Sequence, residues 1–318
     1  MLDISTGHFV KTALGDISSR WIPDEVRKLA ALSVPSGLAG SAEWLLTADY
    51  SLLLARWFLE GVCDPARYRR RRGGQFPQLY SSVRQSVSRM ASGIPPDEQM
   101  ALAKGLAAVL LAEIQRERAV RRTIYDRELC LQLWERYPRC WICGALFPDW
   151  ARATFLKESV AFPRSSPRFV DFFRPRGLRP EDQQVEIEHV VALASGGEDV
   201  ELNLRLACRW CNQAKGARTV LFDTGGQPQT LFHPELGHEV GVPRPFWVVR
   251  LLAMRPRCEW SGGCDARPNN AELTVAPIRE QGSPNPANLQ VTCYAHDPIK
   301  TIRLVSTSRI RRRPSSEN

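Results

Sequence analysis

Residues 185–218, VEIEHVVALASGGEDVELNLRLACRWCNQAKGAR, decide the fold of this protein. The apolar residues from Val185 onward favour a strand that carries Glu188 and His189 at its end. SGGED is typical of a turn, and NLRLAC then returns as a second strand. CNQAKGAR favours the start of a helix. The stretch therefore predicts a strand, a loop, a second strand and a helix in succession.

Two CxxC pairs accompany this unit, CWIC with Cys140 and Cys143, and CRWC with Cys208 and Cys211. Two residues between thiolates allow a tight turn that directs both sulfurs at one ion, and two such knuckles complete a tetrahedral Zn²⁺ shell. A single CxxC pair is also found in redox sites. Two pairs around one predicted hairpin favour structural zinc.

The unit and its knuckles resemble the HNH nuclease family, which has a ββα-metal (treble-clef) fold. The matching pieces are EH at 188–189, SGG at 195–197, the asparagine at 203 and CxxCNxxKG at 208–216. The resemblance extends over residues 140–220. It implies an enzyme that hydrolyses phosphodiester bonds of nucleic acid.

The resemblance also implies roles for individual residues. His189 matches the general base, and a neutral imidazole suits that task near neutral pH. Asn203 would hold the geometry of His189 through hydrogen bonds. Glu188 and Asn212 match the positions that bind one divalent cation, which would neutralise charge on the departing 3′ oxygen. Lys215 and Arg218 would steady the substrate backbone.

Two positions depart from the usual family pattern. Glu188 stands where Asp is more common, and Asn212 stands where the last His of the motif gives the family its name. Both replacements keep an oxygen donor, so we expect activity with Mg²⁺ or Mn²⁺ rather than with softer ions.

An insertion at about residues 147–184 separates the first knuckle from the predicted active strand. It contains FPRSSPRFVDFFRPRGLR, which is rich in arginine and phenylalanine. A packed flap with a solvated basic face is one interpretation. The other is a nucleic-acid clamp in which Arg174 and Arg176 contact phosphates.

The segment LQVTCYAHDPIK at residues 289–300 repeats the end of the first unit. Cys208 and Cys293 lie 85 residues apart, and the same offset without a gap pairs Asn203 with Asn288. Upstream, CEWSGGC supplies a matching first pair. The repeat predicts a second structural zinc site. Its ligands would be Cys258, Cys264, Cys293 and His296.

The catalytic positions of the first unit are not kept in the repeat. An ungapped offset of 85 places Leu273 at the position of Glu188 and Thr274 at the position of His189. Without a base and a metal ligand, the second unit cannot perform the same hydrolysis. We expect it to serve structure or nucleic-acid docking.

Composition limits the partners of the chain. Its 318 residues carry a net charge of +9, which favours a polyanion as partner, although basic clusters are also common on solvated surfaces.

Nine cysteines without a secretory signal favour metal sites over disulfides. The most apolar stretch, residues 44–62, carries three charged residues and makes a poor membrane span. We expect a cytoplasmic protein without a membrane partner.

The expected fold class is mainly α with small α+β zinc modules. Residues 1–125 read as a helical domain that binds a protein partner, mediates oligomerisation or regulates the enzyme. Residues 126–222 read as the ββα-metal nuclease domain, and residues 223–306 as linking hairpins with a degenerate treble-clef module. Residues 307–318 read as a basic, disordered tail.

The sequence therefore predicts a metal-dependent HNH endonuclease that cuts DNA and contains two structural Zn²⁺ ions. Such an enzyme would suit defence against foreign DNA. Two alternatives stay open: a zinc-containing protein that binds nucleic acid without cutting it, and an HNH nuclease that acts on RNA.

Overall fold

The computed structural model describes residues 4–14, 23–63, 68, 75–118, 125–163, 165, 167–174, 179–193, 197–224, 229–279 and 282–311. Its helices are α1 Ile4–Leu14, α2 Pro23–Ala30, α3 Glu43–Val62, α4 Gln75–Met90, α5 Pro96–Arg118, α6 Arg127–Arg136, α7 Asp149–Phe155, α8 Arg209–Lys215, α9 Pro245–Met254 and α10 Thr307–Arg311. Its strands are β1 Phe169–Asp171, β2 Val185–His189, β3 Leu204–Cys208, β4 Gln229–His233, β5 His238–Val242, β6 Leu273–Pro277, β7 Leu289–Cys293 and β8 Leu304–Ser306.

The described strands form small antiparallel pairs rather than one sheet. β2 pairs with β3, β4 with β5, β6 with β7, and β1 with the distant β8. Helices therefore supply most of the regular structure, as the predicted fold class requires. Among the described helices, none has the length and apolar character needed to cross a membrane.

The N-terminal helices form a small core of their own around α4 and α5. Leu79, Val83 and Leu110 are buried there together with the C-terminal end of α3. The first half of α3 belongs to the main core instead, because Asp49 accepts hydrogen bonds from the backbone amide of Leu221 (2.8 Å) and from Arg250 (2.6 Å). Helix α3 thus joins the helical region to the cysteine-rich region.

The main core is shared by the two cysteine-rich modules. Helix α9 is apolar on nearly every face and is buried between them. The backbone amide of Leu273, at the start of β6, donates to the Cys143 carbonyl of the first knuckle (2.8 Å). A Cβ on Gly144 would lie 2.0 Å from the Ala271 carbonyl oxygen, so the knuckle and the second module are in direct backbone contact.

The hairpins of the two modules correspond strand for strand, but with unequal offsets. Val185 of β2 lies opposite Cys208, and Leu273 of β6 lies opposite Cys293. The first strands are therefore offset by 88 residues and the second strands by 85. The loop between the strands is three residues shorter in the second module.

This register corrects the ungapped comparison of the two units. His189 lies opposite Leu204, and Pro277 lies opposite Leu289. Pro277 therefore occupies the position of His189, and the assignment of Thr274 to that position is wrong. A comparison without gaps cannot detect this difference. The three residues are missing from the loop, and the strands on either side of the loop each align without a gap.

Strand β8 and helix α10 fix the C-terminal segment to the insertion. β1, within the predicted insertion, pairs with β8, and Asp171 of β1 accepts hydrogen bonds from Arg303 (3.0 Å). Residues Thr307–Arg311 form α10, and Thr307 is buried. The prediction of a disordered tail from residue 307 is therefore wrong for these five residues. Residues 312–318 lie outside the described part of the chain.

Candidate active site

An asparagine clamp fixes the loop that follows β2. Oδ1 of Asn203 accepts from the Val191 amide (2.9 Å), and its Nδ2 donates to the carbonyls of Val191 (3.0 Å) and Glu198 (2.8 Å). The Val190 amide donates to the backbone carbonyl of Asn203 (2.9 Å). A Cβ on Gly197 would lie 1.7 Å from the Val191 carbonyl oxygen, so only glycine fits inside the clamp.

His189, the last residue of β2, is held by two neighbouring side chains. Its Nε2 lies 3.0 Å from Oδ1 of Asp199 and 3.3 Å from the Tyr125 hydroxyl. The Tyr125 hydroxyl donates to the same Asp199 oxygen (2.6 Å). Burial, and then the adjacent Asp199 carboxylate, raise the pKa of Tyr125 well above its usual value, so Tyr125 stays a donor.

Glu188 points into a nearly closed environment beside the first knuckle. Its side chain is 4% exposed and accepts from Nε1 of Trp141 (2.9 Å) and from the Lys215 ammonium. Lys215 also donates to the backbone carbonyl of His189 (2.7 Å). Burial raises the pKa of Glu188 above its usual value, although Lys215 opposes that rise.

Asn212 contacts a different carboxylate on the same face of β2. Its Nδ2 donates to Oε2 of Glu186 (2.7 Å), whereas Glu188 is bonded to Trp141 and Lys215. The two residues predicted to share a divalent cation therefore have separate partners here. The oxygens of Glu186, Glu188 and Asn212 make a donor set suited to a hard cation, so the metal assignment stays a prediction.

The first cluster of cysteines has the composition and closeness of a structural zinc site. The Sγ atoms of Cys140, Cys143, Cys208 and Cys211 lie within 4.8 Å of one another, and all four residues are buried. Burial raises the pKa of the Cys140 and Cys211 thiols well above the usual value. A cation is therefore needed to hold these groups as thiolates, and four thiols suit Zn²⁺.

The second cluster assembles as the repeat predicted. One ligand atom from each of Cys258, Cys264, Cys293 and His296 lies within 4.8 Å of the others. Nδ1 of His296 faces Cys293 (3.3 Å) and Cys258 (3.7 Å), while its ring stacks on Trp260 at 4.2 Å between centroids. The stacked indole fixes the ring so that Nδ1 faces the sulfurs. This donor set fits Zn²⁺ with a Cys₃His shell.

The second module lacks the proton-accepting side chain of the first. By the observed register, Ala276 and Pro277 take the positions of Glu188 and His189. Neither can accept a proton from water or bind a cation through its side chain. That this module is not catalytic stays a prediction, and Ala276 and Pro277 now support it in place of Leu273 and Thr274.

In the second module, an arginine side chain lies where the first module has the contact between Asn212 and Glu186. Asp297 follows Asn212 by 85 residues, and Thr274 follows Glu186 by 88. The buried Arg303 guanidinium bonds to the Asp297 carboxylate and to the Thr274 hydroxyl (2.9 Å). The positive charge of Arg303 thus balances the Asp297 carboxylate in this module.

The four predicted nucleic-acid contacts have different surroundings. Arg218 is exposed, and its guanidinium lies 4.9 Å from the Phe246 ring centroid. Lys215 is engaged with Glu188. Arg174 does not fit the predicted role, because its side chain is 5% exposed and donates to Glu272 and to the Leu273 carbonyl. Arg176 lies outside the described residues.

Three residues that contact His189 or Glu188 were not predicted from the sequence. Asp199 lies within the SGGED segment, whose pattern predicts only a turn. Trp141 lies between two zinc ligands in CWIC, a motif that points to its cysteines alone. Tyr125 lies 64 residues before His189, so no local pattern could connect them. Of these three residues, only Asp199 has a recognisable signal in the sequence, namely an acidic side chain close to the SGG segment.

Comparisons with known proteins support the assignment for one part of the chain. Residues 176–218 match the model of a family described as HNH endonuclease. Neither the curated proteins nor the solved structures yielded a match. The matched segment carries β2, β3 and α8 with His189, Asn203 and the second knuckle, and it indicates a nuclease-type function on nucleic acid. Residues 176–218 are therefore similar to HNH endonucleases, as the resemblance implied.

Proposed function

We propose that the chain is a metal-dependent endonuclease that hydrolyses phosphodiester bonds of DNA. The observation that carries the proposal is the placement of His189. The end of β2, the Asn203 clamp and the Asp199 carboxylate together hold this imidazole within the matched segment. A surface histidine without a catalytic task would not need three separate supports.

The hydrogen bonds of His189 indicate which nitrogen acts. If Nε2 carries the proton and donates it to Asp199, the lone pair of Nδ1 is left to accept a proton from water. The Asp199 carboxylate then stabilises the imidazolium that forms. Tyr125 keeps Asp199 in place by donating to the same oxygen. Asn203 keeps the loop that carries Asp199 against the end of β2.

Glu188 and Asn212 would hold the divalent cation, Mg²⁺ or Mn²⁺, with Glu186 next to Asn212. When bound, such a cation neutralises the negative charge that develops on the phosphate and on the leaving oxygen. The Lys215 ammonium now provides positive charge beside Glu188. Once released from Glu188, Lys215 would be a candidate for contact with the substrate phosphate, together with Arg218.

The N-terminal helices would bind a protein partner or a second copy of the chain. Helix α3 exposes large apolar side chains, with Trp44 54%, Trp57 60% and Phe58 50% exposed. Apolar side chains at this density on one helix are typical of an interaction surface. Such a partner would restrain or activate the nuclease, as a role in defence against foreign DNA requires.

The proposal is tested with supercoiled plasmid and with labelled RNA of the same sequence, each incubated with Mg²⁺, Mn²⁺ or EDTA. We expect metal-dependent nicking of the plasmid and little cleavage of the RNA. Preferential RNA cleavage would reassign the substrate. Binding of both nucleic acids without cleavage would favour the zinc-containing binding protein.

A further inference from the structure

A cavity of about 380 Å³ lies between the nuclease hairpin and the second zinc module. Its walls come from the end of α6, the first knuckle, β3, the end of α9 and the loop at residues 267–269. Its volume falls within the range of sites for small organic ligands. The cavity exists only because the two modules pack together, so it is a product of the whole fold.

The cavity is strongly basic. Arg136, Arg139, Arg205 and Arg267 line it, and its lining contains no Asp or Glu among the described residues. Arg139 and Arg205 donate to nearby backbone carbonyls, which orients them without neutralising them. Arg136 pairs with Glu201 at the surface, where such a pair contributes little. An anionic ligand is the complement of this lining.

Apart from Asn269, the remaining lining is largely apolar and includes aromatic rings. Leu204, Leu206 and Pro256 form part of it, and Tyr137 lines it while 48% exposed. Arginines around an apolar and aromatic recess suit a phosphate joined to a planar base. A paired base inside a duplex could not enter, because pairing covers its Watson–Crick edge and stacking covers its faces.

The cavity reaches the candidate active site through Trp141. This indole lines the cavity and donates to Glu188, the predicted cation ligand. Arg205 lies opposite Glu188 on the neighbouring strand. A second cavity of about 320 Å³ shares Trp141 and Ala253 with the first and is lined by Lys215 and Arg218. Basic recesses therefore continue on both sides of Trp141.

We propose that the 380 Å³ cavity is a subsite for one unpaired nucleotide of the substrate strand, next to the bond that is cut. The inference rests on the proposed nuclease function and adds a substrate class, nucleic acid with an unpaired nucleotide near the cleavage position. Arginines from both zinc modules would hold its phosphates, which gives the non-catalytic module a task in substrate binding.

The test measures binding by a His189→Ala variant without added Mg²⁺ or Mn²⁺, so that cleavage plays no part and the structural zinc is not removed. The probes are a fluorescein-labelled single-stranded DNA and the same sequence as a blunt duplex, with deoxynucleoside monophosphates as competitors. Arg136→Glu/Arg267→Glu changes two exposed arginines of the cavity. Arg84→Glu/Arg89→Glu makes the same charge change on exposed positions of α4 and serves as the matched control.

We expect tighter binding of the single strand than of the duplex. The cavity variant should bind the single strand at least about tenfold more weakly than the control and should show a smaller salt dependence, by about one unit of slope per arginine. Tyr137→Ala should weaken binding roughly five- to 150-fold, as expected for a lost stacking partner.

Equal affinities of the cavity and control variants would overturn the subsite. So would equal loss on duplex and single strand, or competition by free mononucleotides as effective as by the oligonucleotide. Plasmid nicking by the wild-type protein is measured separately. If nicking occurs while the cavity variant binds like the control, the subsite fails and the nuclease proposal stands.

Discussion

The imidazole of His189 depends on residues that lie outside the recognised motif. Asp199 lies at hydrogen-bond distance from Nε2 and accepts from Tyr125, so the orientation of one histidine depends on two other side chains. An orienting group of this kind is what the proposed role of His189 as a general base requires.

Asp199→Ala should lower the plasmid nicking rate by about 10- to 100-fold at saturating DNA, with little change in the DNA concentration for half-maximal rate. The reason is that Nε2 loses its acceptor while no substrate contact is removed. Tyr125→Phe should have a smaller effect, because it removes one brace worth about 1 kcal/mol. Single-turnover rates measure both. Full activity of Asp199→Ala would show that His189 needs no orientation by this carboxylate.

Lys215→Met should destabilise the fold by about 3–5 kcal/mol at neutral pH, because it leaves Glu188 buried without its cation. Lys215 lowers the pKa of Glu188, so its removal raises that pKa further. A carboxyl group with a raised folded-state pKa binds its proton more tightly in the folded protein, so the free energy of unfolding falls as pH rises.

Urea unfolding at about pH 6 and about pH 8 measures this effect. The loss of stability in Lys215→Met should be larger at the higher pH. Adding Glu188→Gln should restore much of it at both values, since the neutral amide still accepts from Trp141. If Lys215→Met/Glu188→Gln were as unstable as Lys215→Met alone, the buried charge of Glu188 would be ruled out as the cause.

At the scale of elements, the sequence predicted the β2–β3 hairpin, α8 and both cysteine clusters. These features depend on local patterns, namely apolar spacing and metal-ligand spacing, which neighbouring residues determine. The register of β6 was mispredicted because it depends on loop length, and Pro277 rather than Thr274 matches His189. The burial of Arg174 was also missed, since Glu272 lies far away in sequence.

The two modules contain the same asparagine clamp. Asn288 accepts from the Arg279 amide (3.0 Å) and donates to the carbonyls of Arg279 and Ser283 (both 3.1 Å). Asn203 makes the same three bonds in the first module. The clamp therefore belongs to the hairpin itself, and only in the first module does it follow a strand that ends in a histidine.

This duplication supplies a matched pair of variants. Asn203→Ala and Asn288→Ala should each destabilise the protein by about 1–3 kcal/mol, because each removes three loop hydrogen bonds. Asn203→Ala should in addition lower nicking per folded molecule by at least about tenfold, since its loop positions Asp199. Thermal unfolding and nicking rates are measured on the same samples. Equal activity losses would mean that the clamp acts only through stability.

At the scale of the whole molecule, the two modules form one structure around α9. The Leu273–Cys143 backbone bond and the contact of Gly144 with the second module cross the boundary between them. Arg303 links Asp297 with Asp171, so it ties the second module to the insertion. The second module therefore serves as a support for the first, whatever else it binds.

Zinc removal tests this dependence. Metal analysis should find two Zn²⁺ per chain in the wild-type protein and one in Cys264→Ser. Because the core is shared, Cys264→Ser should also lower the unfolding temperature of the nuclease module, monitored by its nicking activity after heating. Loss of one zinc without any effect on nicking or on thermal inactivation would show that the modules are energetically independent.

The most direct test of the account compares plasmid nicking by the wild-type protein and by His189→Ala with Mg²⁺ present. Both proteins should contain the same zinc and unfold at the same temperature. We predict that the wild-type protein nicks the plasmid and that the variant is slower by about 10²- to 10⁴-fold, the contribution expected of a general base. Equal nicking by the two proteins would contradict the central claim that His189 activates the water.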